Sequence, residues 1–169
     1  MSAQVSRTVI DSLEFARTGQ TLRGRLPVSG LTRLRDSLYD AFGAVDFVVQ
    51  GGQDTRRRPT LSLEVSGVLH LKCQRCLGHF DFSLRLGGSL LLASPSEIAS
   101  VQLDEEEGEW IEPSPELDIE SLVEDEIILG LPYSPRHPEA QCRSASDSPA
   151  QGASQPAFAK LAALKRNID

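Results

Sequence analysis

The sequence predicts an α+β domain, in which a strongly bent, half-barrel-like antiparallel sheet of about five strands packs with one or two helices. Three observations predict it. Residues 60–92 alternate apolar and polar on both sides of a short turn, residues 22–28 and 45–49 alternate over shorter stretches, and an apolar stripe at helical spacing follows Asp118. The 169 residues suffice for one domain with an appendage, and 40% hydrophobic with 24% charged residues is an ordinary globular balance. No apolar run approaches the roughly 18 residues that span a bilayer. No apolar stretch follows Arg7, so a secretory signal is not expected. Three cysteines make no disulfide framework, and a reducing, cytoplasmic setting is expected.

Each element has its own reason. Leu22, Gly24, Leu26 and Val28 alternate with Arg23, Arg25 and Pro27, a half-buried strand with arginines on its wet face. Leu31, Leu34, Leu38 and Phe42 have the spacing of a short amphipathic helix. Val45, Phe47 and Val49 form a strand that Gly51-Gly52 should end, and Gln53–Pro59 is an exposed loop carrying Arg56-Arg57-Arg58. Leu61, Leu63, Val65, Leu69, Leu71 and Cys73 occupy one parity, while Phe80, Phe82, Leu84 and Leu86 occupy the other, as expected across an antiparallel hairpin. Gly67 is a candidate bulge. Asp118 caps a helix whose stripe is Ile119, Leu122, Val123 and Ile127, with Gly130 and Pro132 ending it. Residues 1–142 thus read as a single domain, in which 93–116 form an acidic, mobile excursion. Residues 143–156 are a disordered Ser/Ala/Pro/Gln linker, and 157–169 a short basic amphipathic helix.

Charge is segregated along the chain. Residues 1–92 carry 12 Lys/Arg against 8 Asp/Glu, 93–142 carry 1 against 14, and 143–169 carry 4 against 2. Bulk attraction to nucleic acid is excluded at net charge -7, but local basic faces are not. The acidic middle suits basic proteins or is simply a solvated run.

The constellation that carries chemistry is Cys73-Gln74-Arg75-Cys76 at the hairpin tip. Two thiols separated by two residues on a tight turn can face one metal, as in a zinc knuckle. Two further ligands are needed, and His79, His137 and Cys142 are the candidates. The set Cys73, Cys76, His137 and Cys142 would staple the tip to the segment after the acidic helix around a structural zinc, and unligated structural thiols are the alternative. A redox role is disfavoured because no helix follows the first cysteine to lower its pKa. His70, on the polar strand face, reads as exposed. No dinucleotide fingerprint, P-loop or nucleophile elbow is present.

Leu71-Lys72-Cys73-Gln74-Arg75-Cys76-Leu77 resembles the CQRC signature of the bacterial large ribosomal RNA subunit accumulation proteins, the YceD family. Leu122 to Pro132 is similar to that family's VEDEIILALP stretch. Pro135-Arg136-His137 with Cys142 resembles its P-x-H-x4-C ending. Gly24-Arg25-Leu26-Pro27 with Arg33-Leu34, and Pro156 to Lys165, resemble weaker patterns at the two ends, although Ala157 separates the proline and phenylalanine of the tail. The resemblance implies a role in synthesis, processing or stability of large-subunit (23S) ribosomal RNA, and it strengthens the grouping of the four Cys/His positions without establishing a metal.

The expected function is therefore a non-enzymatic factor in ribosome biogenesis. Arg23, Arg25, Arg33, Arg35, Arg56, Arg57, Arg58 and Arg75 are candidate phosphate contacts to ribosomal RNA or a pre-ribosome. Asp104, Glu105, Glu106, Glu107, Glu120, Glu124 and Asp125 are candidates for a basic ribosomal protein. The alternative is a metal-dependent RNA-processing enzyme, which needs an open metal position. Phe80 and Phe82 could stack bases, but their register favours the core.

Overall fold

Hydrophobic alternation that keeps one parity from strand to strand builds a sheet with one buried face. The computed structural model describes residues 8–100, 109–138 and 142. Its elements are β1 (Val9–Ile10), α1 (Ser12–Thr18), β2 (Thr21–Pro27), β3 (Ala44–Gln53), β4 (Pro59–Lys72), β5 (His79–Leu92), α2 (Pro95–Ser100), β6 (Glu109–Ile111), β7 (Leu117–Asp118) and α3 (Ile119–Gly130). Among the described residues the fold is α+β, with a five-stranded sheet in the order β2-β3-β4-β5-β6, a β1-β7 pair and three helices. The sheet is open, neither closed nor strongly curled, and it is mixed where an antiparallel half-barrel was expected. The exception is β6, which runs parallel to β5. A parallel return needs a crossover, and the chain between Leu92 and Glu109, which includes α2, supplies it.

Register explains the change of parity across the hairpin. In β4-β5 the pairs Leu61↔Leu90, Val65↔Leu86 and Leu71↔Phe80 set odd residues against even ones, so both apolar sets reach one face. Pairing runs one to one through Gly67, which faces Val45 on one side and Leu84 on the other, so there is no bulge there. Gly67 instead relieves crowding, since a Cβ would lie 3.0 Å from Val45 Cγ1. The buried face carries Val45, Phe47, Val49, Leu61, Leu63, Val65, Leu69 and Leu71. Against it lie Phe15 and Ala16 of α1 and Ile119, Leu122, Val123 and Ile127 of α3.

Two other expectations change. Gly51-Gly52 do not end β3, which continues to Gln53. At Gly51 a Cβ would approach Phe15 O to 2.2 Å, so glycine admits α1 against the strand. Residues 31–42 form no helix; short 3-10 turns cover Val28–Gly30 and Thr32–Leu34. The cause is β4, which extends beyond its pairing with β3 at Gly67. Its backbone is completed there by Tyr39 N donating to His70 O (2.8 Å) and Lys72 N to Ser37 O (3.0 Å), which draws residues 37–39 into extended chain. His70, read as exposed, is half-buried, its Nδ1 2.8 Å from Asp40 Oδ1 and its Nε2 3.6 Å from Asp81 Oδ1. No helix among the described residues is long and apolar enough to cross a membrane.

Candidate metal centre at the hairpin tip

The tip is built by a tight backbone loop. Leu77 N donates to Cys73 O (2.9 Å) and Cys73 N to Gly78 O (2.8 Å), with Leu77 at φ 60°. A non-glycine residue in the left-handed region is uncommon and marks a backbone constrained by its surroundings. The loop turns both thiols inward. Gln74 N donates to Pro135 O (2.8 Å), tying the tip to the proline-rich segment after α3.

That tie delivers two more donors. One ligand atom each from Cys73, Cys76, His137 and Cys142 lies within 4.8 Å of the other three. Cys73 Sγ and Cys142 Sγ are 3.7 Å apart, and Cys76 Sγ is 3.4 Å from His137 Nδ1. A tetrahedral zinc with its usual bond lengths would set sulfur pairs about 3.7 Å apart and a sulfur–imidazole pair about 3.5 Å apart. The observed spacings fit a metal, and the sulfur separation is far beyond a disulfide bond. This cluster could therefore hold a metal ion.

The surroundings suit ligation. His137 Nε2 lies 2.8 Å from His79 O, a carbonyl that can only accept, so Nε2 carries the proton and Nδ1 turns its lone pair to the sulfurs. Arg75 N donates to Cys73 Sγ at 3.4 Å. Phe80 packs its ring 5.2 Å from that of His137 and walls the cluster on one side. Burial pushes the Cys73 thiol up, but the amides of Cys76, His137 and Arg75 together with the His137 ring outweigh it and bring it to about 5. Cys142 is pushed up to about 11 by burial and by the neighbouring Cys73 and Cys76 sulfurs. His137 is raised chiefly by Cys73 and by the His79 carbonyl. One thiolate thus forms readily and holds protons on its neighbours, the electrostatics of a site that favours a cation.

Other sequence-identified residues lie elsewhere. His79 supplies its carbonyl, while its ring lies 5.0 Å from that of Tyr39. Phe80 and Phe82 are partly buried against the core. Arg56, Arg57 and Arg58 occupy the β3–β4 turn, at the opposite end of β4 from Arg75. Arg58 Nε lies 2.6 Å from Asp54 Oδ2. Arg23 and Arg25 are exposed on β2, with Arg25 3.7 Å from Asp46, and Arg35 is exposed beyond the second 3-10 turn.

Arg33 meets α3. Its backbone N donates to Glu124 Oε1 (2.7 Å), its Nε to Glu124 Oε2 (3.0 Å), and its guanidinium also reaches Asp125 and Ser121 O. Three charges assigned by sequence to external partners therefore face one another. Glu124 is 7% exposed, and nothing in a run of three acidic residues marks which one is buried. Glu120 is half-buried in the first turn of α3, whereas Asp104, Glu105, Glu106 and Glu107 lie outside the described residues, as do 143–169.

No solved structure matches the chain. The family described as large ribosomal RNA subunit accumulation protein YceD matches residues 61–165, more than half of the chain and a span containing all four donors, so the chain belongs to that family.

Proposed function

We propose that this chain is a non-enzymatic, cytoplasmic factor in the accumulation of large-subunit ribosomal RNA, and that its hairpin tip is a zinc-stapled platform for docking to RNA or a pre-ribosome. The observation that carries the reading is the closed donor set, in which three thiols and one imidazole meet within 4.8 Å inside the span shared with the family. Four protein ligands complete a tetrahedron and favour a structural ion over one that activates water. Of the candidate phosphate contacts, Arg75 sits on the tip itself, and Arg56 to Arg58 offer a second site at the other end of β4. Of the acidic candidates for a basic ribosomal protein, Asp104 to Glu107 and Glu120 carry this reading, since Glu124 and Asp125 already meet Arg33.

The test joins metal analysis of protein purified without chelator to pull-down of the tagged chain, with RNA and protein both identified. One equivalent of zinc and recovery of large-subunit precursor RNA are expected, with both reduced in Cys73→Ser. Absence of zinc would remove the staple. Cleavage of precursor ribosomal RNA by the pure protein would favour the processing-enzyme reading.

A further inference from the structure

The groove between α3 and β6 lies apart from the Cys/His cluster, along the β5-β6 edge of the sheet. It encloses about 400 Å³, and its lining includes Leu90, Ile111 and Leu122. Trp110 and Leu129 also line it and remain 44% and 72% exposed. Carboxylates of Glu109, Asp125 and Glu126 share the lining. Asp125 is engaged by Arg33, but among the described residues no cation pairs with Glu109 or Glu126. Glu126 lies over Gly88 of β5 and is held above the usual carboxylate range by burial and then by Glu109.

An apolar trough with acidic walls fits a basic amphipathic helix. The chain contains one such sequence. Phe158, Leu161 and Leu164 recur at three-residue intervals, accompanied by Lys160, Lys165 and Arg166. Too short to be stable alone, it needs a surface to cover. Reach is sufficient. Cys142 is beside Cys73 at the tip, and the groove lies along β5 from His79 to Leu90, roughly 36 Å at about 3.3 Å per residue. Residues 143–157 extend to about 50 Å. Tethering gives the segment an effective concentration of about millimolar at its own surface, ahead of any free partner.

We propose that this groove is the docking site of the chain's own C-terminal segment, residues 157–169, which covers the apolar floor and sets Lys160, Lys165 and Arg166 against Glu109, Asp125 and Glu126. The proposal is independent of the metal and of any RNA contact.

Trp110 is the only tryptophan in the chain and lies in the groove, so its emission reads occupancy directly. In the full chain, the triple change Lys160→Glu, Lys165→Glu and Arg166→Glu should red-shift Trp110 emission and increase quenching by acrylamide several-fold. A peptide of residues 157–169 added to that variant should reverse both changes saturably. Glu109→Lys with Glu126→Lys should release the native tail, and combining it with the tail reversals should restore the native spectrum. The proposal is overturned if native and tail-reversed chains quench alike, or if the peptide has no effect at millimolar concentration. It is equally overturned if protection of Trp110 appears only as protein concentration rises, which would make a second copy the occupant.

Discussion

At the Thr60–Leu91 end of the β4-β5 hairpin the chain is held by packing. Leu61, Leu63 and Leu90 are buried against α1, β3 and α3, each contributing about 1.5–3 kcal/mol by removal of apolar surface from water. At the Lys72–His79 end the sheet has narrowed to two strands and a stretch of extended chain. Polar donors take over there: backbone bonds to Pro135 and Gly78, and three thiols with one imidazole. A ribbon end two strands wide cannot bury enough surface to hold itself, so it recruits residues 60 or more positions downstream. Stability at one end follows from amount of apolar area, and at the other from polar contacts that place four potential metal ligands together.

The largest expected effect separates the two ends. Chelation should release the tip, because a structural zinc contributes on the order of 10 kcal/mol in small domains. In hydrogen exchange, the amides of Gln74 and Leu77 should lose protection while Val49, Leu61 and Leu63 keep theirs. Equal loss at both ends would mean that the molecule opens as one unit and that the division is false.

Gly51→Val attacks the packed end. Its side chain would enter the backbone of Phe15 and force α1 off β3, a cost of about 3 kcal/mol. Urea denaturation should show that loss with metal stoichiometry unchanged. The smallest effect belongs to the β3–β4 turn, where Asp54 accepts from the Arg56 and Arg58 amides and from the Arg58 guanidinium. Burial pushes the Asp54 carboxyl up, but those donors outweigh it and hold it below its usual range. Its contribution is therefore present above the unfolded carboxylate pKa and is lost as pH falls through the lower folded value. Asp54→Asn should cost at most about 1 kcal/mol at neutral pH, and the two proteins should converge in stability in acid.

Period-two alternation made the hairpin legible because both strands bury one face, and the capped stripe of α3 was legible for the corresponding helical reason. The spacing of Leu31, Leu34 and Leu38 misled, since three buried leucines at helical intervals also suit turns that run into extended chain along a neighbour's unpaired backbone. Helix α1 left only its ends in the sequence, Asp11 accepting from Glu14 N and Gly19 at φ 63°, without a stripe long enough to read. At the tip, the residue types and the CxxC spacing nominated the four donors, but no local rule brings His137 and Cys142 to Cys73. That meeting depends on β5, β6 and α3 all being in place.

Closing the Cys/His cluster turns the chain from Cys76 to His137 into a ring that contains β5, α2, β6, β7 and α3. Such a ring cannot shut while its last donor is still inside a translating ribosome. On the proposed ligation, Cys142 as the last donor would mark the moment when everything between has been synthesised, and a nascent chain stalled before that residue would present an unsealed tip. With a metal bound, the knot of sulfur and nitrogen would act as a clasp fastened after the strands and helices it encloses have emerged.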